Sequence, residues 1–353
     1  MSSLVTQIIR DPASLASEIP AWWELWRRSP QATPFQSPAW LMPWWDVFAP
    51  GQLCSIAVCE GPRLVALAPL YLETGPLGLR LLPLGIGISD YCDLLIDPAF
   101  QGEAAEAVVS TLNRAAPWEI CEFPELAPDA AALRLPPSDA LSSALSDASA
   151  SPVLTLPDRI DGLAEHVPRL RLRQLRRARA AAAKKGEIVI VVGDADNSEG
   201  LLGELIRLQG ARWKENGQSG VSADRRVREF HAAALPGLIA ANLARLYALM
   251  IGDAVAGVYY GFLHRGRAYA YLQSYDVAFA DESPGLIVTG YAIEEAIREG
   301  AREFHFLRGD EQYKLEWGAA PRRNRIRVFS RQRPLRRDQS QPHQSRFLSP
   351  PLP

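Results

Sequence analysis

One succession of apolar runs, turns and an amphipathic stretch occurs twice along this chain, and that duplication limits the folds open to it. In the first half, residues 53–59 and 64–72 are apolar runs separated by Glu60-Gly61-Pro62-Arg63, which is hairpin chemistry. Residues 93–97 read as another strand, residues 102–115 carry Ala105, Val108, Val109 and Leu112 at helical spacing, and residues 118–123 return to a strand. In the second half, two apolar runs between Leu246 and Phe262 flank a Gly252-Asp253 turn, followed by a strand at 268–275, a helix at 285–299 and a strand at 303–307. Two β-β-β-α-β units predict an α/β protein built from tandem units, each a mixed central sheet flanked by helices.

The expected boundaries follow from composition. Residues 1–128 form the first unit, and 129–157, rich in Ala, Ser, Pro and Asp, form a linker with one short strand at 153–156. Residues 158–330 form the second unit, and the polar, proline-rich 331–353 form a disordered tail. A length of 353 residues with 48% hydrophobic content fits two cores. The net charge of −2 gives no general attraction for nucleic acid. Cys54, Cys59, Cys92 and Cys121 match no zinc spacing and the five histidines form no ligand pairs, so no metal and no disulfide framework is expected, and free thiols fit a reducing compartment. The first residues lack the basic and apolar regions of a signal peptide, and no apolar run nears the roughly 20 residues of a spanning helix, so the expectation is a soluble cytoplasmic protein.

Trp22/Trp26 and Trp40/Trp44 stand four residues apart, a spacing that places them on helices as core residues. Residues 168–186 carry eight positive charges and no acid. Pro168 starts and Gly186 stops this helix, with Leu172, Leu175, Ala178 and Ala182 as a narrow docking stripe. Its arginines are suited either to holding phosphates or to pairing with acids on a solvated surface.

Chemistry concentrates at the end of the second repeat. The strand at 303–307 runs into Arg308, Asp310, Glu311, Tyr313 and Lys314, while the strand at 268–275 ends in Ser274 and Tyr275. Ser283 is a fitting N-cap and Pro284 a first-turn residue, and free N–H groups at that helix start, with Gly285 permitting close approach, make a seat for a pyrophosphate. Capped helices opening Ser-Pro-Gly also serve purely structural ends. His305 reads as a hydrogen-bonded, partly buried residue rather than a base.

From these residues the second half resembles the acyltransferase domain of the GNAT superfamily, specifically the CelD/BcsL-type proteins linked to cellulose and exopolysaccharide production. The resemblance rests on Arg176-Arg177-Ala178-Arg179 with Gly186, residues 269–276, Ser283-Pro284-Gly285, and the run from Phe306 to Lys314 with Trp317. With residues 35–45 it spans about 20 to 330. More distantly, the twin plan is similar to the Fem peptidyltransferases, which join two GNAT-like units and use an aminoacyl-tRNA donor. There a lysine in a Phe-Lys-x-x-Phe-Gly context assists transfer, and the segment from Tyr313 to Gly318 is similar enough to nominate Lys314. One departure concerns the usual pyrophosphate loop, Gln/Arg-x-x-Gly-x-Gly/Ala. The segment from Asp281 to Leu286 keeps one glycine and begins with acids.

The resemblance implies attack of an acceptor amine or hydroxyl on the thioester of acetyl-CoA or another acyl-CoA as co-substrate, without a metal. Such a site removes a proton from the nucleophile, stabilises an oxyanion and protonates the leaving thiolate. Asp310 or Glu311 is then the base, Lys314 holds the oxyanion or a phosphate, and Tyr313 or Tyr275 donates to the sulfur. Ser274, Ser283, Gly285 and Leu286 seat the donor. Arg173, Arg176, Arg177 and Arg308 bind the phosphate of a sugar-linked or amino-acid-like small-molecule acceptor in the groove between units, the first unit having shed its catalytic residues. Polysaccharide-synthesis proteins are the implied partners. Three alternatives stay open: an aminoacyl-tRNA-dependent transferase, a non-catalytic scaffold of a synthase complex, and a set of ion pairs among Arg308, Asp310, Glu311 and Lys314 that only holds the repeats together. Gly85-Ile86-Gly87 is half a dinucleotide fingerprint, but Asp90 replaces the third glycine and a strand follows, so that reading is rejected. No Gly-x-Ser-x-Gly, His-Glu-x-x-His or Walker sequence occurs, which leaves hydrolases and nucleotide triphosphatases without motif support.

Overall fold

Alternation at a period of two sorts the strand residues of the second half onto two faces. Val258, Tyr260 and Phe262 of the strand Ala254–His264, with Tyr269 of Arg267–Tyr275, enter a core that also holds Phe35, Trp40 and Tyr91 from the first half. Tyr259 and Ala268 turn the other way, onto Val288, Ala292 and Ile293 of the helix Pro284–Arg298. The computed structural model describes residues 4–76, 78–215 and 224–331. The tail expected from residue 331 onward lies, past Arg331, outside the described residues. No helix among the described residues is long and apolar enough to cross a membrane.

The α/β class is realised as two sheets. A four-stranded antiparallel sheet orders Val5–Ile9, Ser55–Glu60, Arg63–Ala68 and Leu95–Ile96. An eleven-stranded sheet runs through both halves, in the order Ile188–Val192, Ala244–Ile251, Ala254–His264, Arg267–Tyr275, Glu303–His305, Leu141–Thr155, Ala320–Arg331, Ile120–Leu126, Gly78–Pro83, Leu70–Gly75 and Gln52–Leu53. The helices Ser198–Glu215 and Arg225–Ala240 and the tryptophan-bearing Ile19–Arg28 and Pro38–Phe48 pack on the face that the first half covers. Trp22 and Trp40 are fully buried there.

Three elements differ from the sequence expectation. The apolar run at 64–72 is broken at Pro69, which has no N–H for a ladder: Arg63–Ala68 belongs to the small sheet and Leu70–Gly75 to the large one, hairpinned with Gly78–Pro83. The strand expected at 93–97 is only Leu95–Ile96. The segment expected as a linker with a short strand at 153–156 contains the fifteen-residue strand Leu141–Thr155. This strand pairs with Ala320–Arg331 from Leu141↔Arg331 to Val153↔Ala320, and Ala320–Arg331 pairs in turn with Ile120–Leu126 of the first half. Its Ser and Ala residues have low strand propensity, so backbone pairing from the far end of the chain makes it a strand.

Candidate functional site: a parting pair of strands

Arg267–Tyr275 and Glu303–His305 run parallel and are joined at only three rungs, the last of them Tyr269↔His305. Beyond His305 the chain swings to its other neighbour: the Phe306 N–H donates to Pro152 O (2.9 Å) and the Gly309 N–H to Ala150 O (2.9 Å). Leu307 adopts a φ of 58° at this departure. The first strand continues alone on that side from Ala270 to Tyr275, and a bulge at Tyr271 shifts its register against Ala254–His264. The two strands therefore part into a V whose open end faces the start of Pro284–Arg298.

At that open end Ser274 is buried, and its Oγ has no hydrogen-bond partner among the described residues. Ser283 takes the N-cap position in the left-handed region (φ 52°) and makes no side-chain cap bond. Leu286 and Ile287 both donate back to Ser283 O, and Pro284 has no N–H, so Gly285 is left with an early N–H that has no backbone acceptor among the described residues. Gly285 lies against the Tyr275 ring: a Cβ there would be 3.4 Å from Tyr275 Cδ1. Glu282, buried beside this helix start, is 3.6 Å from Lys185. An anion seated here would meet one donor and a neighbouring carboxylate, a thinner seat than a typical helix start provides.

The charged knot after Glu303–His305 is arranged differently from its expected role. Lys314 is 3% exposed and its Nζ lies 3.3, 2.6 and 3.4 Å from the carbonyls of Leu307, Arg308 and Gly309, and 2.8 Å from Glu311 Oε2. An ammonium has three donors, and all are spent on this loop. Asp310, Glu311 and Tyr313 are exposed. Gly309 holds a φ of 109°, a backbone conformation that strains any residue with a Cβ. Arg308 turns to the first half, where its backbone N–H and Nε donate to Asp90 Oδ1 at 3.2 and 2.8 Å. Burial pushes the Asp90 carboxyl up against the pull of that guanidinium.

Asp90 and its neighbour Tyr91 escaped the sequence reading. They sit on a tight loop whose Gly85 and Gly87 both hold φ of 86° and whose Ser89 Oγ accepts from Trp40 Nε1 at 2.9 Å. The Tyr271 hydroxyl donates to Ile88 O on the same loop (3.0 Å), so the first half closes one face of the V. Tyr91 Oη is 3.1 Å from His305 Nδ1, and His305 Nε2 is 3.1 Å from Glu303 Oε2. The only signal for this chain was Glu303-Phe304-His305, two polar residues on one face of a strand.

The basic helix Arg169–Lys185 lies on the opposite face from the first half. Leu175 packs into Gly290, and Arg179 makes a two-pronged pair with Glu294 (3.0 Å each) on Pro284–Arg298. Arg173, Arg176 and Arg177 are exposed, with no ion pair among the described residues. The sheet thus separates them from the groove between the halves, and from Arg308, which they were expected to join there. The cause is the docking stripe of Leu175, Ala178 and Ala182, which the helix-bearing face buries.

Residues 169–315 match the family model of the acetyltransferase (GNAT) domain. Among solved structures, FemX is similar with a TM-score of 0.65 and 11% identity over 92% of this chain and 96% of that one. A conserved protein from Bacteroides thetaiotaomicron reaches 0.58 at 12% identity, over 92% of this chain and all of that one. The C-terminal domain of a putative lysylphosphatidylglycerol synthetase from Agrobacterium fabrum reaches 0.55 at 10% identity, over 89% and 91%. At such identities the likeness is one of fold, and it embraces both halves. No curated protein sequence matches.

Proposed function

We propose that the chain transfers an acyl group, in the simplest case acetyl, from acyl-CoA to an amine or hydroxyl of a small sugar-linked or amino-acid-like acceptor, in cell-envelope or exopolysaccharide synthesis. The observation that carries this reading is the V between Arg267–Tyr275 and Glu303–His305, inside the stretch that matches the acetyltransferase domain. A strand edge without a neighbour from Ala270 to Tyr275 offers backbone groups to an extended thioester arm, much as a sheet edge accepts an added strand. Gly285 N–H is then the donor for a phosphate, and Tyr275, beside Gly285, is placed to protonate the departing thiolate.

A second reading, aminoacyl transfer from a charged tRNA, has its own support. The buried Glu282 at the helix start opposes a pyrophosphate, and the fold likeness to FemX spans both halves. Titration calorimetry of the protein with acetyl-CoA and longer acyl-CoAs decides. Saturable binding that Gly285→Val weakens is the expected result. Consumption of aminoacyl-tRNA with no heat from any acyl-CoA would replace the first reading by the second.

A further inference from the structure

A cavity of about 290 Å³ lies between the two halves, on the sheet face away from Pro284–Arg298, lined by Tyr91, Asp129, Arg267, Tyr269, His305 and Arg322 among others. We propose that this cavity is the acceptor subsite, shaped for a compact primary amine that carries a carboxylate or phosphate, and that Tyr91, His305 and Glu303 relay the proton the amine gives up. The inference rests on the transfer reading above and supplies its acceptor side.

Four observations converge. Tyr269 and His305, the last rung before the strands part, form a wall of the cavity, so an acyl carbon carried into the V from the other face comes up behind the residues an acceptor would touch. The Tyr269 hydroxyl is buried, 1% exposed, and shares the cavity wall with Arg267, its hydrogen-bonding neighbour, so a polar pair faces the space an acceptor would fill. Arg267 donates to Asp129 (3.0 Å) and pairs through Nε with Glu303 (3.4 Å), and Arg322 donates to Glu303 (2.6 Å). A guanidinium has five N–H groups, so both keep donors for an anion. The volume is at the small end of ligand pockets, which run from about 300 to 1,000 Å³, and suits an amino acid or a single sugar rather than a polymer.

The hydrogen bonds around His305 fix its tautomer. An ionised carboxylate can only accept, and Glu303 is held down to about 2, first by its bond from His305 and then by Arg322, so the proton sits on Nε2. Nδ1 then accepts from the Tyr91 hydroxyl. In the step, the amine nitrogen bonds to the carbonyl carbon, the C–S bond breaks, and the thiolate leaves with the electron pair. The amine proton passes to Tyr91 Oη as Tyr91 gives its own to Nδ1. The resulting imidazolium, faced by Glu303, releases that proton to solvent, while the thiolate takes its proton from Tyr275, which solvent then reprotonates. Tyr91 and Tyr269, the carboxylates Glu303 and Asp129, and the cations Arg267 and Arg322 surround this ring. Burial dominates among them and keeps His305 below the ordinary histidine value.

Two measurements test the proposal. In calorimetry without donor, glycine, L-alanine, D-alanine, L-glutamate and glucosamine 6-phosphate are titrated into the wild type, into Ala127→Phe, which fills the cavity from another of its lining positions, and into Arg322→Met. Binding of at least one probe, abolished in the first variant and weakened about tenfold in the second, is expected, and the amino-acid and sugar-phosphate arms tell a carboxylate from a phosphate. Binding unaffected by both substitutions, or no binding to the wild type at millimolar concentration, overturns the subsite. In the second measurement the rate of transfer is followed against pH for His305→Gln and Tyr91→Phe. Loss of about 100-fold or more in kcat, together with disappearance of the acid limb that neutral His305 imposes, is expected, with acyl-CoA affinity intact. A retained limb, or a change in melting temperature alone, overturns the relay. Probe binding that persists in a protein that takes no acyl-CoA leaves the cavity standing and removes the thioester reading instead.

Discussion

Lys314 shows how a residue's burial can reassign its work. A long cation at a strand end invites a catalytic role, yet its ammonium is enclosed by three carbonyls and Glu311. Removing it strands those acceptors, each at a cost of about 1–3 kcal/mol when buried. Lys314→Met is therefore expected to lose about 3 kcal/mol in urea unfolding, whereas Glu311→Gln, on a side chain 57% exposed, loses less than about 1 kcal/mol. A Lys314→Met protein that unfolds with the wild type while turnover collapses would return the residue to the chemistry. Residues after Phe306 announce themselves in the sequence because polar groups crowd the end of an apolar run. Tyr91 does not, since its partner His305 is 214 positions away and nothing local marks a hydrogen bond of that reach. Glu303 was legible only as one of two polar residues on a strand face, and Asp90 only as the residue that spoiled a glycine fingerprint.

At the level of elements, those with strong internal periodicity were readable: Pro284–Arg298, Gln101–Ala115 and the strands around the Gly252-Asp253 turn stand close to where apolar spacing places them. Elements made by their neighbours were not. Leu141–Thr155 is a strand because Ala320–Arg331 pairs with it, and the break at Pro69 is visible only once two sheets compete for the run. The placement of the basic helix depends on a similar partner. Gly290 lets Leu175 approach so closely that a Cβ would lie 2.7 Å from Leu175 Cδ2. That atom is the flexible end of a side chain, so Gly290→Ala is expected to be absorbed, helped by alanine's better helix propensity of up to about 1 kcal/mol. Gly290→Ile adds branching at the crossing and overpacks it by about 1–3 kcal/mol. Limited trypsin digestion then reads the result: cleavage between Arg169 and Arg179 should accelerate roughly tenfold in Gly290→Ile, a factor that 1.4 kcal/mol of easier opening supplies. Equal cleavage rates for both variants would mean that the helix docks by another contact.

For the whole molecule, the duplicated pattern suggests two units able to stand alone, and the sheet connectivity argues against it. Ile120–Leu126 meets Gly78–Pro83 at just two rungs, Arg80↔Ile120 and Leu81↔Cys121, and takes its other neighbour from Ala320–Arg331 at the far end of the chain. Phe35 and Trp40 of the first half pack edge-on against Phe262 of the second at 5.6 and 5.5 Å between ring centres, and Asp90 grips Arg308 across the same boundary. Separating the halves would leave long unpaired strand edges and an aromatic core open to water, both strongly unfavourable. Calorimetry is therefore expected to show one unfolding transition, with van't Hoff and calorimetric enthalpies in agreement. A chain ending at Ala319 should lose the first half's fold as well as the second's, because it removes the strand between Leu141–Thr155 and Ile120–Leu126. Two resolved transitions, or a folded fragment 1–128, would show that the repeats are independent bodies, and an acceptor cavity walled by both could then open without unfolding either.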